Sequence, residues 1–85
     1  MIKTTVTLKI PGGLHLRPAE HLCSRAMHFK SDVELFLRGT HYNAKSVLSV
    51  LGACIRCGDS FEIVCTGPDE VDALKELSSF VENEL

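Results

Sequence analysis

From residue 2 to residue 10 the chain alternates, with Ile2, Thr4, Val6, Leu8 and Ile10 on one side and Lys3, Thr5, Thr7 and Lys9 on the other. A period of two with one polar side predicts a strand with one wet face. Pro11-Gly12-Gly13 breaks it, and the period then lengthens: Leu16, Ala19, Leu22, Cys23, Ala26 and Met27 recur at helical spacing, with Arg17, Glu20, His21, Ser24, Arg25 and His28 opposite. That pattern predicts a helix lying on a sheet. Alternation returns over 32 to 38, where Val33, Leu35 and Leu37 point inward, and Arg38-Gly39 predicts a hairpin into a short strand at 40 to 43. Ser46 suits the N-cap of a short helix from Val47 to about Ala53, and a turn at Gly58-Asp59 leads to a strand at 60 to 66 with Phe61, Ile63 and Cys65 on one face. Gly67-Pro68-Asp69-Glu70 opens a last helix, with proline in its first turn and two acids at the positive end of its dipole. Its expected buried stripe is Val71, Leu74, Leu77, Val81 and Leu85.

The order is βαββαβα, and strands apolar on one side only imply a sheet covered by helices on one face, an open-faced α/β sandwich. Phe36 and Val64 fall among the soluble residues of the other face, Lys3, Thr5, Glu34, Arg38 and Glu62, and the pattern does not explain them. No repeat or linker divides residues 1–85, which read as a single domain.

At 85 residues there is one core and little room for a cleft between lobes, so a substrate-engulfing enzyme is not expected. Nine Lys and Arg against eleven Asp and Glu give a formal net charge of −2, which argues against a broad phosphate-neutralising surface for nucleic acid. The N-terminal MIKTTVTLKI lacks the apolar core of a secretory signal and no later run is long enough to insert in a membrane, so a cytoplasmic protein is expected. Cys23, Cys54, Cys57 and Cys65 are then expected to be reduced and mainly packing groups.

The stretch GGLHLRPAEHL, residues 12 to 22, puts a histidine and an arginine at a helix start, where serine or aspartate is the usual cap. With His15 at the N-cap, the amides of the first turn have no intrahelical acceptor and would meet an anion carried on its ring. A neutral imidazole offers a nitrogen lone pair able to attack phosphorus. Arg17 adds a planar, permanently charged donor for phosphoryl oxygens. A helix end contributes ~0.3 to 1 kcal/mol and a charged hydrogen bond ~1.5 to 3 kcal/mol, enough to hold a phosphoryl group without trapping it.

The Gly13-Leu14-His15-Leu16-Arg17-Pro18-Ala19 and Lys45-Ser46-Val47-Leu48 segments, their spacing and the element order together resemble the histidine-containing phosphocarrier (HPr) family of the bacterial sugar phosphotransferase system. The resemblance covers essentially the whole chain. It implies a four-stranded antiparallel sheet with three helices on one face in an α+β fold, and a monomer without metal or cofactor. It also implies a stoichiometric carrier, not an enzyme. His15 would accept a phosphoryl group on Nδ1 from phosphorylated enzyme I and pass it to IIA domains of sugar permeases, with Arg17 as phosphate partner. Leu16, Glu20, Val47, Leu48 and Leu51 would form the partner surface, and Ser46 would be open to a serine kinase and phosphorylase. Family members commonly carry a small residue where this chain has Leu16, and Glu20 sets an acid toward partners that present acidic surface. A specialised carrier of a nitrogen-related or single-sugar branch, or a regulatory binding module, therefore stands beside the main reading.

A rival lies in Cys54-Ile55-Arg56-Cys57, since a C-x-x-C pair is half of a zinc site or a redox couple. The pair precedes a turn, opens no helix after a strand and has no second closely spaced ligand pair, which favours packing. His21, His28 and His41 read as polar-face residues.

Overall fold

The computed structural model describes all 85 residues. Its elements follow the expected order: β1 (Ile2–Thr7), α1 (Leu16–Ala26), β2 (Asp32–Leu37), β3 (Thr40–Asn43), α2 (Val47–Gly52), β4 (Ser60–Thr66) and α3 (Glu70–Asn83). The strands form one antiparallel sheet in the order β1-β4-β2-β3. The last strand thus lies between the first two, with Val6 opposite Phe61 and both Val33 and Ile2 opposite Cys65. This register aligns the apolar side of every long strand. Val6, Val33, Leu35, Leu37, Phe61, Ile63 and Cys65 join Ala19, Leu22 and Ala26 of α1, Val50 of α2 and Ala73, Leu77 and Val81 of α3 in one core cluster. Leu8, Leu22, Leu35 and Leu77 are fully buried, each contributing ~1.5 to 3 kcal/mol by leaving water. No helix is long and apolar enough to cross a membrane.

Between β2 and β3, Arg38 (φ 50°) and Gly39 (φ 76°) both take positive φ, the backbone of a two-residue hairpin turn matched to strand twist. β1 stops at Thr7, short of the expected residue 10, because the chain turns toward Pro11-Gly12-Gly13. The pairing trails off through Leu8, whose amide donates to Asp59 O (2.9 Å) and whose carbonyl accepts from Gly58 N (2.7 Å).

Three expectations about packing change. In α3 the buried stripe runs through Ala73, Leu77, Phe80 and Val81, while Val71 is 57% exposed. At 3.6 residues per turn Val71 points about 200° from Ala73, so it cannot share the face that meets the sheet. In α1, Leu16 and Met27 lie at the ends of the helix, where the core no longer covers them, and both are exposed. Cys23 and Cys65 are packing groups, but Cys54 and Cys57 are exposed, because their segment is a loop lying on the surface between α2 and β4.

The open face accounts for Phe36 and Val64. Register sets Val64 of the central strand β4 between Lys3 and Glu34, and sets Phe36 opposite His41, with ring centroids 4.5 Å apart. Lys3 reaches Glu62 (3.7 Å) and His41 Nδ1 approaches Glu34 (3.1 Å), so long side chains roof the two apolar residues and leave Val64 buried.

Candidate functional site

The start of α1 is shaped by what precedes it. Gly12 (φ 87°) and Gly13 (φ 76°) take conformations that other residues rarely adopt. At Gly13 there is a second reason: a Cβ there would stand 2.7 Å from the carbonyl oxygen of Ile55 and 3.1 Å from Cα of Arg56. The next residue, Leu14, is buried and its amide donates to Ile55 O (2.9 Å). Glycine, leucine and this one hydrogen bond therefore clamp the approach to α1 onto the loop that follows α2.

His15 is the N-cap in extended conformation, and its carbonyl accepts from Ala19 N (2.9 Å). Its imidazole is exposed and makes no capping bond. The ring lies over Gly12, where a Cβ would stand 3.5 Å from Cδ2 and 3.7 Å from Nε2. The amides of Leu16 and Arg17 have no acceptor, Pro18 has no amide to leave unpaired, and no acid occupies the first turn. The ring thus stands at the positive end of an 11-residue helix whose free donors suit an anion.

A depression of about 350 Å³ opens beside the ring, lined by Gly12, Leu14, His15, Leu51, Cys54, Ile55 and Arg56. The C-x-x-C segment thus forms the wall facing His15. Asp59 and Arg38 hold that wall. Arg38 Nη2 donates to Ala53 O (2.6 Å) and Nη1 approaches Asp59 Oδ2 (3.8 Å), while the same carboxylate oxygen accepts from Arg56 N (2.9 Å). The Cys57 thiol donates to Lys9 O (3.5 Å). No group of three or more His, Cys, Asp or Glu side chains converges in an arrangement able to hold a metal ion.

Arg17, the second residue of α1, is exposed and lies outside the lining of this depression. Glu20 is exposed one turn down the same helix. Helices α1 and α2 pack side by side, and their surface carries Leu16 (56% exposed) and Leu48 (82% exposed) with half-buried Val47 and Leu51. Leu51 belongs both to that apolar surface and to the depression. Ser46 caps α2, its Oγ accepting from Ser49 N (3.3 Å). Lys45 Nζ donates to Phe29 O (2.7 Å) and is thereby turned back to the body of the protein.

The sequence places His15 at the N-cap of α1, as the structure does, but gives little sign that Arg56 lines the depression beside it or that Arg38 holds that wall. The only signal was indirect: the second glycine, Gly13, which closes a turn on Ile10 and also permits a close approach by another backbone.

The PTS-HPr family model, described as the PTS HPr component phosphorylation site, matches residues 2–83. The chain is 35% identical over 83 residues to phosphocarrier protein HPr of Treponema pallidum, covering 98% of this chain and 94% of that one. It is 32% identical over 85 residues to the HPr-like protein Crh of Bacillus subtilis, covering the whole of both. The crystal structure of phosphocarrier protein HPr from Bacillus anthracis superposes with a TM-score of 0.90 at 28% identity, over 95% of this chain and 96% of that one. The expectation of a monomer meets a counterexample. HPr of Thermoanaerobacter tengcongensis, with a TM-score of 0.78 at 28% identity over 99% of this chain and 97% of that one, is a dimer in its crystal structure. Monomeric state therefore does not follow from this fold, which agrees with the apolar surface left exposed on α1 and α2. With the four-stranded antiparallel sheet, the three helices on one side and a match that runs from residue 2 to residue 83, the chain belongs to the HPr family of phosphocarriers.

Proposed function

We propose that this chain is the stoichiometric phosphoryl carrier of a phosphoenolpyruvate-dependent sugar phosphotransferase system, with His15 as its acceptor. The carrying observation is the exposed imidazole at the N-cap of α1, free of any capping bond and beside the unpaired amides of Leu16 and Arg17. The ring nitrogen's lone pair forms the new N–P bond as the bond from phosphorus to its carrier group on enzyme I breaks. Onward transfer to a IIA domain is the same step with phospho-His15 as donor: the acceptor's lone pair forms the new bond to phosphorus as the N–P bond to His15 breaks. Free amides and Arg17 receive the phosphoryl oxygens, by hydrogen bonds of moderate strength that leave the group transferable. Leu16, Val47, Leu48 and Leu51 form the apolar docking surface, and Glu20 at its margin tunes which partners are accepted. Ser46 is the regulatory position: a dianion there would repel an acidic partner from the adjoining Val47 and Leu48 surface. The carrier works in the cytoplasm, where its donor is generated.

The test is labelling with phosphoenolpyruvate and enzyme I. One acid-labile, base-stable phosphate per chain is expected, and His15→Ala abolishes it. No label with several enzymes I would sink the reading.

Similarity to Crh supports a second reading, a regulatory HPr-like protein that acts by binding. In that case partner binding survives His15→Ala.

A further inference from the structure

The chain has four arginines, and the structure divides them into two pairs. Arg25 meets Glu84 (3.4 Å) and lies over the Phe80 ring at 4.5 Å, and Arg38 meets Asp59 and the carbonyl of Ala53. Arg17 and Arg56 have no carboxylate partner. These two are the arginines placed around His15, one on α1 immediately after the ring and one on the facing loop that walls its depression. Asp59, the acid nearest in sequence to Arg56, is withheld from its guanidinium: the carboxylate takes Arg56's own amide and the Arg38 side chain instead. The backbone of Arg56 is meanwhile fixed against Gly13, two residues before His15. An exposed guanidinium with no carboxylate partner, held by its backbone beside a nucleophilic ring, is poised for an anion that arrives on that ring.

We infer that Arg56 is a second phosphoryl-binding residue, reaching the group on His15 from the α2–β4 loop. This rests on the carrier reading of His15 and deepens it. The phosphohistidine is then held from two elements, α1 supplying Arg17 and the free amides, the α2–β4 loop supplying Arg56 from the wall of the depression. Cys54 and Leu51 line the same depression and bring no competing charge of the acid type. The two arginines differ in what steadies them: Arg17 moves with a helix, Arg56 with a loop whose position depends on Asp59 and Arg38.

Phosphoramidate supplies a test that needs no partner protein: the His15 nitrogen attacks phosphorus, the P–N bond of the reagent breaks and ammonia leaves. With the chain labelled at arginine with nitrogen-15, formation of phospho-His15 is expected to shift the Nε–H resonances of Arg17 and Arg56 and leave those of Arg25 and Arg38 in place. In transfer from phosphorylated enzyme I, Arg56→Ala is expected to lower kcat/KM about tenfold or more, the size of one charged hydrogen bond. Arg56→Lys restores part of it, keeping the charge without the planar fork. Arg56→Gln, closer to the parent in shape, serves should the alanine variant fold poorly, and is expected to lose as much. An Arg56 resonance that stays in place while His15 is phosphorylated, with Arg56→Ala and Arg56→Gln transferring like the parent, overturns the inference and leaves the carrier reading standing. An Arg56 shift with phosphoramidate but no label from enzyme I supports Arg56 and overturns the proposed partner. A chain that takes no phosphoryl group on His15 from either donor overturns both.

Discussion

At the start of α3 the acidic side chains are laced into the protein, and at the start of α1 the polar groups are left open. The side chain of Asp69, the N-cap of α3, makes no bond to its own helix. Its carboxylate accepts from the amides of Lys30 and Ser31 (both 2.9 Å) and from the Ser31 hydroxyl, tying the start of β2 to the start of α3. Glu70 reaches back to the amide of Gly67 (3.0 Å) and to the amino terminus of Met1 (3.2 Å). The Ser31 hydroxyl, followed by the Lys30 amide, holds the Asp69 carboxyl down at about 2, and the Gly67 amide lowers that of Glu70. Nearby Cys65 is pushed the other way, to about 11, by burial and then by these two carboxylates. Both helices present a positive dipole end, but α3 sets Glu70 and Asp72 in its first turn, whereas α1 has no acid there. One start closes the fold. The other leaves its donors and its imidazole unpaired.

His15→Ala gives the sharpest contrast: phosphoryl acceptance is lost entirely, while urea denaturation shows a change within about 0.5 kcal/mol, as for a surface residue making no bond. Gly67→Ala is the converse. Its Cβ would stand 2.6 Å from Cα of Ser31, at a φ of 150° that alanine resists. A loss of about 2 to 4 kcal/mol is expected from strain and overpacking together, with His15 still labelled at a temperature where the variant is folded. Loss of labelling in the folded variant would show that the two starts are coupled. Asp69→Asn tests the same lacing through pH. The carboxyl's folded value of about 2 lies below its ordinary 3.8, so its stabilisation is complete above the ordinary value and is lost as pH falls through about 2. The variant should therefore melt below the parent at pH 7, and the two should converge toward pH 2. Ser46→Ala is the mildest, about 0.5 to 1 kcal/mol for the loss of one long capping bond. A much larger fall would mean that Ser46 anchors more than α2.

The open face and the C-x-x-C loop mark where reading along the chain stops being informative. Val64 is apolar on the wrong side of its strand because it sits in the middle of the sheet, beneath Lys3, Glu34 and their partners, and strand order is not written into the alternation of any one strand. Val71 falls on the apolar list by composition but off the buried face by angle. Cys54 and Cys57 looked like packing groups because cysteine is commonly buried, yet their loop is held by its backbone and by Asp59, which leaves the thiols outside.

Periods of two and of 3.6 residues are properties of neighbouring positions, so the sequence by itself determined the seven elements, most of their buried faces and the donor-rich helix start at His15. Only the tertiary structure decided what stands opposite that histidine. Gly13 and Ile55 are far apart in the chain and meet because β4 inserts between β1 and β2, bringing the loop before it against the loop after β1. Arg56 gains its place beside the ring from that contact, a consequence of strand order that no local pattern encodes.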